Sequence, residues 1–388
     1  MGRIIIFTGK GGVGKTSTAA AHGVKAAQEG LKTLIVSTDM AHNLSDIFMT
    51  EVKEEPVKVI DNLYALEIDP NYEMDRHYKN ISTAFKNMMP TMEVESGNAL
   101  EDIVAFPGIE ELFSLIKIKE LYEKNIYDLI IVDCAPTGET LSLLKFPELF
   151  SWYMEKLFPI GKVALKALRP ISKAVFKIDM PDKNAMNDIE KLYINLIRLQ
   201  ELLKDRGVCS IRLVTIPEKM VVEETKRNYM YLNLYNFNVD GVYINRIIPQ
   251  EVDNNFFTQW KSIQQSYLEE LKSVFNDIPT FRVKWYESDI NGLEGLNRIA
   301  CDSLQREDIF KVLKTTLNEC FTKLEEGYSL EVYVPFANKT DFDLYQSDTE
   351  LIIKIGNFKR NIPLPDILKK YSIASAKLQD EKLKIIFG

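Results

Sequence analysis

A glycine-rich segment with two lysines lies close to the start of the 388-residue chain. Residues 9–16 read GKGGVGKT, which is the spacing of a phosphate-binding loop. The glycines let consecutive backbone N–H groups point at phosphate oxygens, and a following helix adds the positive end of its dipole. Lys15 would reach the β- and γ-phosphates, and the Thr16 hydroxyl would ligate Mg²⁺. The predicted nucleotide-binding residues here are Gly9, Lys10, Gly11, Gly12, Val13, Gly14, Lys15, Thr16 and Ser17.

Two aspartates follow apolar runs of strand length. Asp133 ends the run that starts at Leu129, where a Walker-B carboxylate would hold the metal through water. Asp39 ends the run that starts at Thr33, and a carboxylate there could orient or deprotonate the attacking water. Either aspartate could instead simply cap the segment that follows it.

Lys10 is the second lysine of the loop. One lysine is enough for phosphate binding, so a second one points to a role in the reaction. If Lys10 reached a facing subunit, it would stabilise the charge that develops during phosphoryl transfer. Arginine fingers in such a place are worth ~10³–10⁵ in rate, and a lysine acts by the same electrostatics. This interpretation predicts a homodimer.

The residues around these side chains alternate between strand-like and helical patterns. The apolar runs at 4–8, 33–38, 129–133, 211–216 and 242–245 are short and do not alternate with polar residues, which is typical of strands buried on both faces. Helical patterns cover residues 17–29, 109–124 and 186–204. The alternation predicts an α/β fold with a doubly wound, mostly parallel sheet, and the glycine-rich loop after the first strand makes the P-loop ATPase fold the expected one.

The pattern changes in the last quarter of the chain. Apolar residues spaced like a helix between 307 and 327 predict one more amphipathic helix that ends at Gly327. Strand-like runs then follow at 329–335, 350–355, 358–364 and 382–387, with the spacing of a small antiparallel β-sandwich. We therefore expect two domains. They are an ATPase domain at 1–327, with a helical lobe at about 72–122 and 145–205, and a sandwich at 328–388.

Composition narrows the classes of partner. There are 48 basic and 56 acidic residues, and the net charge of −8 argues against a nucleic-acid partner. Four cysteines without a CxxC pair make neither a disulfide framework nor a zinc site, which favours a reducing compartment. The sequence shows neither a signal-peptide pattern nor an apolar stretch of membrane-spanning length. A cytoplasmic protein is expected.

One segment is basic although the chain as a whole is acidic. Residues 151–178 contain six basic residues and one acidic residue, interleaved with apolar side chains. Such a segment can receive an apolar helix or lie transiently on an anionic membrane, and an ordinary helix packed on its own core is an equally open interpretation. The candidate client surface consists of Met154, Leu157, Phe158, Val163, Leu168 and Phe176.

Several motifs resemble a known family. The loop sequence KGGVGKT is typical of the dimeric ATPases that include MinD, ParA and the nitrogenase iron protein. The stretches STDMAHNLSD (37–46) and DCAPTGETLSLL (133–144) resemble switch I and switch II of the ArsA and tail-anchored-protein-targeting ATPases. The resemblance continues through VTIPEKMVVEET (214–225). Residues 329–388 are similar to the α-crystallin-like domain of a bacterial and plastid branch of that family.

The resemblance assigns roles to particular residues. It implies that Asp39 activates water, that Lys10 reaches across the dimer, and that Asn245 contacts adenine beside Arg246. It also places a base-wrapping loop at Pro279 to Trp285. The base-site residues from that loop are Pro279, Phe281 and Val283, and the switch residues are Asp39, His42, Asp133, Pro136, Thr137 and Gly138.

The family's activity follows as an expectation. The resemblance implies Mg²⁺-dependent ATP hydrolysis by a homodimer, coupled to the opening and closing of a surface for hydrophobic client proteins, membrane-protein segments included. Residues 210–300 contain no cysteine, so the zinc clasp of the eukaryotic targeting factors is not expected, and a lone Cys134 near the nucleotide does not support an iron–sulfur cluster. Two alternatives stay open: an ArsA-like subunit that energises arsenite or anion efflux, and a ParA- or MinD-like positioning ATPase.

Overall fold

The computed structural model describes a large part of the chain. It covers residues 2–39, 43–70, 72–73, 76, 109–134, 183–337, 342–347, 350–365 and 367–388. His42, three of the switch-II residues and the whole candidate client surface lie outside the described residues. Those switch-II residues are Pro136, Thr137 and Gly138.

The N-terminal part is built on one large sheet. Its strands in the described ranges are β1 (Arg3–Thr8), β2 (Thr33–Ser37), β3 (Val57–Ile60), β4 (Leu63–Glu67), β5 (Leu129–Asp133), β6 (Cys209–Thr215), β7 (Val239–Ile247) and β8 (Thr280–Lys284). The strand order in the sheet is β3-β4-β2-β5-β1-β6-β7-β8. Neighbouring strands run parallel except β3, which is antiparallel to β4.

Helices cover both faces of this sheet. The apolar side chains of β1 alternate between two cores, because Ile4 and Ile6 point to one face while Ile5 and Phe7 point to the other. The described helices are α1 (Lys15–Gln28), α2 (Asn43–Phe48), α3 (Ile109–Glu123), α4 (Lys183–Lys204), α5 (Lys219–Leu234), α6 (Asn255–Val274) and α7 (Gly292–Ser303). Helices α1, α2 and α7 pack on the Phe7 face, and α3, α4 and α6 on the opposite one. The predicted doubly wound α/β fold is confirmed.

The C-terminal part consists of two small antiparallel sheets. Their strands are β9 (Glu319–Lys323), β10 (Tyr328–Tyr333), β11 (Phe342–Gln346), β12 (Glu350–Ile355), β13 (Phe358–Pro363), β14 (Ile373–Gln379) and β15 (Lys382–Phe387). One sheet has the order β14-β15-β10-β9, and the other β11-β12-β13. The four strands expected from the sequence are present as β10, β12, β13 and β15, and the small antiparallel all-β unit is confirmed.

The helix predicted between 307 and 327 is wrong. Residues 309–314 form neither a helix nor a strand, and 319–323 form the edge strand β9. The Arg212 guanidinium donates to the Ile309 carbonyl, and Asp240 accepts from the Leu313 N–H at 3.1 Å. Backbone groups that a helix would pair internally are therefore used by buried charges of β6 and β7. β9 lies before the predicted domain boundary near 327, yet it pairs with β10.

No helix within the described ranges combines the length and the apolar character that a membrane crossing requires.

Candidate functional site

The loop between β1 and α1 has the backbone shape of a phosphate cradle. Gly12 and Gly14 have φ angles of 78° and 91°, in the left-handed region that favours glycine. A side chain is excluded at Gly14 for a second reason, since a Cβ there would lie 2.2 Å from Nδ2 of Asn245. Gly14 is also the N-cap residue of α1, so the N–H groups of the first helical turn face the loop.

Lys15 is the first residue of α1 and is buried. Its Nζ donates to the carbonyl of Lys10 at 3.3 Å, which folds the side chain back over the loop. An ammonium in this position lies on the concave side of the loop, where phosphate oxygens would bind. The geometry therefore suits the phosphate-binding role that the sequence predicts for Lys15.

Asp133 ends β5 beside this loop and is only 1% exposed. Within the described residues neither of its carboxylate oxygens has a hydrogen-bond partner. Burial raises the pKa of Asp133 to about 7; the nearby Thr16 hydroxyl, which is not in hydrogen-bonding geometry, and the Lys15 ammonium lower it, whereas Asp39 raises it further. A buried carboxylate without a partner next to a threonine hydroxyl fits a hydrated Mg²⁺, because a cation and its waters would satisfy both oxygens.

Asp39 reaches the same edge of the sheet from the neighbouring strand. Strands β2 and β5 pair in parallel, with Ser37 opposite Asp133, and the Thr38 N–H donates to the Asp133 carbonyl at 3.0 Å. The Asp39 N–H donates to Oγ of Ser37 at 3.1 Å. The carboxyl ends of two adjacent parallel strands thus bring both predicted carboxylates to one site.

A cleft of about 980 Å³ opens over these residues. One wall is the phosphate loop with the start of α1, and the other wall is the segment that follows β8. The residues that line it are Gly11, Gly12, Gly14, Lys15, Thr16, Ser17, Asp39, Asp46, Ile47, Asn245, Arg246, Lys284, Trp285, Tyr286, Glu287, Ser288, Asp289, Ile290, Asn291 and Ile299.

Asn245 connects the two walls near the end of β7. Its Nδ2 donates to the Val13 carbonyl at 2.9 Å, and its Oδ1 accepts from the Arg246 N–H at 2.8 Å. Arg246 has a φ of 57°, an uncommon conformation for a side-chain-bearing residue, and its carbonyl accepts from Gln264 at 3.0 Å. Asn245 therefore positions the phosphate loop as well as lining the cleft.

Three predicted base-site residues lie away from the cleft wall. Phe281 and Val283 are buried in the core, where the Phe281 ring stacks on Tyr243 with centroids 4.6 Å apart. The carbonyl of Pro279 accepts from the Val242 N–H in the sheet. Alternate residues of β8 point inward because a strand has a period of two. The wall is formed instead by Lys284, the last residue of the strand, and by the residues after it, beginning with Trp285.

Tyr286 in this wall is held by charged neighbours. Its hydroxyl donates to Asp302 at 3.0 Å, and Asp302 forms an ion pair with Lys284 at 2.7 Å. Burial and the Asp302 hydrogen bond raise the pKa of Tyr286, while the hydrogen bond from Lys284 holds the pKa of Asp302 below its usual value. The Arg298 guanidinium lies 5.3 Å from the ring centroid. The predicted base-wrapping loop includes Trp285 but ends there, so the sequence analysis missed the wall from Tyr286 onward, although the adjacent aromatics Trp285 and Tyr286 at a strand end were a usable signal.

The Lys10 side chain contacts helix α5. Its Nζ lies 3.4 Å from Oε2 of Glu224, and both side chains are partly exposed. Within one chain the second lysine therefore sits in an ion pair beside the cleft. An exposed pair of this kind contributes little to stability, so Lys10 can be withdrawn at low cost.

A buried histidine lies behind the loop. His22 of α1 contacts the Thr18 carbonyl through Nδ1 at 2.7 Å and the Tyr243 hydroxyl through Nε2 at 2.8 Å. Burial, with Arg212 nearby, lowers the pKa of His22 to about 3. The ring is therefore neutral. A carbonyl can only accept, so Nδ1 carries the hydrogen and Nε2 accepts from Tyr243.

A doubly wound sheet, a glycine-rich loop before a helix, and carboxylates at the adjacent strand ends define a P-loop ATPase. The chain belongs to the ArsA family: residues 2–304 match the model described as anion-transporting ATPase, and residues 325–387 match the HSP20-like domain found in ArsA. It is an ATPase and uses ATP.

Named relatives span the whole chain or its ATPase part. A Chlorobaculum tepidum protein provisionally named arsenical pump-driving ATPase is 35% identical over 99% of this chain and 96% of its own length. An Aquifex aeolicus protein provisionally named arsenical pump-driving ATPase 1 is 32% identical, with complete coverage of both chains (100% of each). The ATPase ASNA1 homolog 2 of Paramecium tetraurelia is 30% identical over 77% of this chain and 92% of its own.

Proposed function

We propose that this chain hydrolyses ATP with Mg²⁺ as a homodimer in the cytosol, and that the nucleotide state opens and closes a surface for hydrophobic client proteins. The observation that carries the Mg²⁺ part is the buried Asp133 carboxylate, which has no partner among the described residues. Thr16 and Asp133 would hold the ion, the latter through water. When bound, the ion neutralises charge on the β- and γ-phosphates.

The chain's own groups supply the other steps. Lys15 and the N–H groups of the loop bind and orient the triphosphate. The Asp39 carboxylate, at the end of the strand next to that of Asp133, orients the attacking water and accepts its proton. Lys10 leaves Glu224 and reaches the partner's nucleotide, where it stabilises charge that develops in the transition state. Two cleft residues, Trp285 at the end of the predicted loop and Tyr286 directly after it, offer the aromatic surface that a base would stack on.

The test for hydrolysis is Asp39→Asn. The amide keeps the shape of the side chain but cannot accept the proton, so we expect unchanged ATP affinity and a loss of at least ~10² in kcat. Affinity is measured by titration with a fluorescent ATP analogue, and kcat by phosphate release. A variant that retains its turnover would remove Asp39 from this role.

The client role rests on sequence and on family membership. The candidate surface at 151–178 is basic and apolar, features suited to an apolar helix. The purified protein is expected to keep a hydrophobic transmembrane segment in solution in one nucleotide state and to release it in another. If no nucleotide state keeps such a segment soluble, the client role is excluded.

A second candidate function is the energising of anion efflux. The names of two relatives favour it, since both are called pump-driving ATPases. The buried Cys209 does not add support for an arsenite-binding role. Burial raises the pKa of Cys209 to about 12, so the side chain stays a thiol, whereas soft metalloids are bound by thiolates. Stimulation of phosphate release by arsenite, absent with arsenate, would favour efflux over the client role.

A further inference from the structure

A third carboxylate lies at the edge of the sheet that carries Asp39 and Asp133. Glu67 is the last residue of β4 and is buried. In the register of the sheet it lies opposite Ser37 of β2, and Ser37 lies opposite Asp133 of β5. Three neighbouring parallel strands therefore end in one row. The hydrolysis steps proposed for Asp39 and Asp133 do not use the carboxylate of Glu67.

The Glu67 side chain holds the start of helix α2. Its Oε1 accepts from the N–H groups of Leu44 and Ser45, each at 3.0 Å, and its Oε2 accepts from the Ser45 hydroxyl at 3.2 Å. Buried carboxylate oxygens require hydrogen-bond donors, and here the first turn of α2 supplies them. The position of that turn relative to the sheet therefore depends on the length of the Glu67 side chain.

The Glu67 backbone holds the end of the segment that follows α2. Its N–H donates to the Lys53 carbonyl at 3.1 Å. Between the two points of attachment, the Val52 N–H donates to Oγ of Ser45 at 3.1 Å, and the Thr50 N–H donates to the Ser45 carbonyl at 3.2 Å. Residues 44–53 thus form one hydrogen-bonded unit that is attached to the sheet through Glu67 at both of its ends.

This unit adjoins both the nucleotide cleft and Asp39. Asp46 and Ile47 of α2 line the cleft. Asp39 is held on one side by Oγ of Ser37, which accepts from its N–H. On the other side only three residues separate Asp39 from Asn43, where α2 begins. A chain of this length spans at most about 14 Å, so the position of α2 limits where the Asp39 carboxylate can lie.

We propose that Glu67 is a positioning residue for ATP hydrolysis, which holds α2 where Asp39 can orient the attacking water. This inference rests on the role proposed for Asp39. Glu67 acts through the backbone of residues 44–53 and does not touch the reacting atoms. ATP affinity should depend little on Glu67, because the phosphate loop follows β1, which is separated from β4 by β2 and β5. The rate of hydrolysis, in contrast, is sensitive to small displacements of the group that orients the water.

Two conservative substitutions separate the length of the side chain from its charge. In Glu67→Gln the amide oxygen can accept from both N–H groups, and the NH₂ group can donate to Oγ of Ser45. Glu67→Asp keeps the carboxylate but is one methylene group shorter, so it cannot reach α2 in its present position. We expect kcat of the full-length chain with ATP and Mg²⁺ to fall ~10- to 100-fold in Glu67→Asp and to be largely preserved in Glu67→Gln. Phosphate release gives kcat, and titration with a fluorescent ATP analogue should give the same affinity for both variants and the natural chain.

A double substitution tests whether Glu67 acts through Asp39. If it does, Glu67→Asp causes no further loss in a chain that already carries Asp39→Asn, because the water is no longer oriented. Single-turnover phosphate release, with the chain in excess over ATP, measures these slow rates. Ser45→Ala removes the hydroxyl contact but keeps both N–H contacts, and it should give a smaller loss with the same dependence on Asp39. An equal fold-loss with and without Asp39→Asn would overturn the proposal.

Leu66→Val is the control for a merely structural effect. Leu66 precedes Glu67 in β4 and is buried on the opposite face of the sheet from α2. We expect this variant to melt at a lower temperature but to keep the kcat of the natural chain when both are folded. If Leu66→Val loses as much kcat as Glu67→Asp, local stability rather than the position of α2 is responsible, and the proposal fails.

The outcomes separate this proposal from the role of Asp39. If Asp39→Asn abolishes turnover while Glu67→Asp keeps it, Glu67 is not a positioning residue and the role of Asp39 stands. The same conclusion follows if Glu67→Gln is as slow as Glu67→Asp, since the charge and not the reach of the side chain is then required. If Asp39→Asn retains its turnover, both proposals fail together. Melting curves check that each variant is folded.

Discussion

The amide of Asn245 uses both of its ends inside the chain, and this gives a test of how the phosphate loop is held. In Asn245→Asp the carboxylate cannot donate to the Val13 carbonyl and lies opposite it at about the same distance. Losing this hydrogen bond and placing two acceptors together costs about 1–3 kcal/mol. We expect ATP affinity to fall at least about tenfold, measured by calorimetric titration.

A matched exchange separates loop geometry from charge. Asn297→Asp adds the same negative charge on α7, where the side chain accepts from Gln28 at the surface and does not line the cleft. Its ATP affinity should match that of the natural chain. If Asn297→Asp and Asn245→Asp weaken binding equally, the added charge and not the Val13 hydrogen bond is responsible.

His22 predicts how stability depends on pH. The ring binds a proton with a pKa of about 6.5 when the chain is unfolded but of about 3 when folded. Between these values the unfolded state holds more protons, so the free energy of unfolding falls as the pH drops below about 6.5. Urea unfolding at pH 7.5, 6.5 and 5.5 should show this loss, and in His22→Gln the slope should be smaller. Equal slopes in both proteins would contradict the assignment.

The sequence predicted which residues carry the chemistry of the site better than it predicted which residues form the walls of the cleft. Asp39 and Asp133 follow apolar strands, and strands that pair in parallel bring their carboxyl ends together, so both positions could be deduced from local pattern. The residues that form the base-site wall could not be deduced from local pattern. Whether Phe281 or Trp285 faces the cleft depends on the register of β8 in the sheet, which is set by pairing with β7 and is not written in the residues themselves.

At the scale of elements, α5 serves both parts of the chain. Thr225 near its start donates to Oγ1 of Thr215 on β6 at 2.9 Å, and Glu224 one residue earlier holds Lys10 of the phosphate loop. At its other end, the Leu234 carbonyl accepts from the Arg360 guanidinium of β13 at 2.6 Å. One helix therefore touches the nucleotide loop and the C-terminal sheets.

A substitution of Arg360 tests the contact between α5 and the C-terminal sheets. Its guanidinium is buried, and besides Leu234 it forms an ion pair with Glu319 of β9 at 2.6 Å. Arg360→Met leaves that carboxylate and a helix-terminal carbonyl without a cation. Removing one partner of a buried pair costs about 3–5 kcal/mol, so Tm should fall by several degrees in calorimetry. Lys359→Met, at an exposed neighbouring position, should leave Tm unchanged.

Secondary-structure elements differ in how well they can be predicted from their residues. Central strands such as β1 and β5 are continuous apolar runs, so they are found with nearly correct ends. Edge strands contain polar and apolar residues in similar numbers. Four of the five residues of β9 are exposed, so this strand has no continuous apolar run. Its apolar residues happen to follow Ile309 and Leu313 at the spacing of a helix. Tertiary contacts to Arg212 and Asp240 override that spacing.

On the scale of the whole molecule, the ATPase part extends past its last helix. The segment between α7 and β9 supplies the partners of Arg212 and Asp240, and Lys314 forms an ion pair with Asp277 at 2.7 Å. A chain that ends at Leu304 removes the Ile309 carbonyl from Arg212, the Leu313 N–H from Asp240 and the Lys314 ammonium from Asp277, although Arg212 and Asp240 still pair with each other. We expect it to lack cooperative unfolding and ATP binding.

A longer truncation is the control. A chain that ends at Asn318 keeps the segment and its contacts but lacks β9 to β15. It should bind ATP and unfold cooperatively in thermal circular dichroism, at a lower temperature than the full chain because part of the apolar core shared with the C-terminal sheets is uncovered. Cooperative folding of the chain that ends at Leu304 would contradict the role given to the segment.

The position of β15 in its sheet affects how the chain folds during translation. This strand is synthesised after the other strands described, yet it lies between β14 and β10 in the sheet. The hairpin of β9 and β10 therefore has an open edge until about 60 further residues have been translated, which at ~5–20 residues per second takes ~3–12 s. During that interval the nascent chain on the ribosome exposes both this edge and the part of α5 that the small sheets later cover.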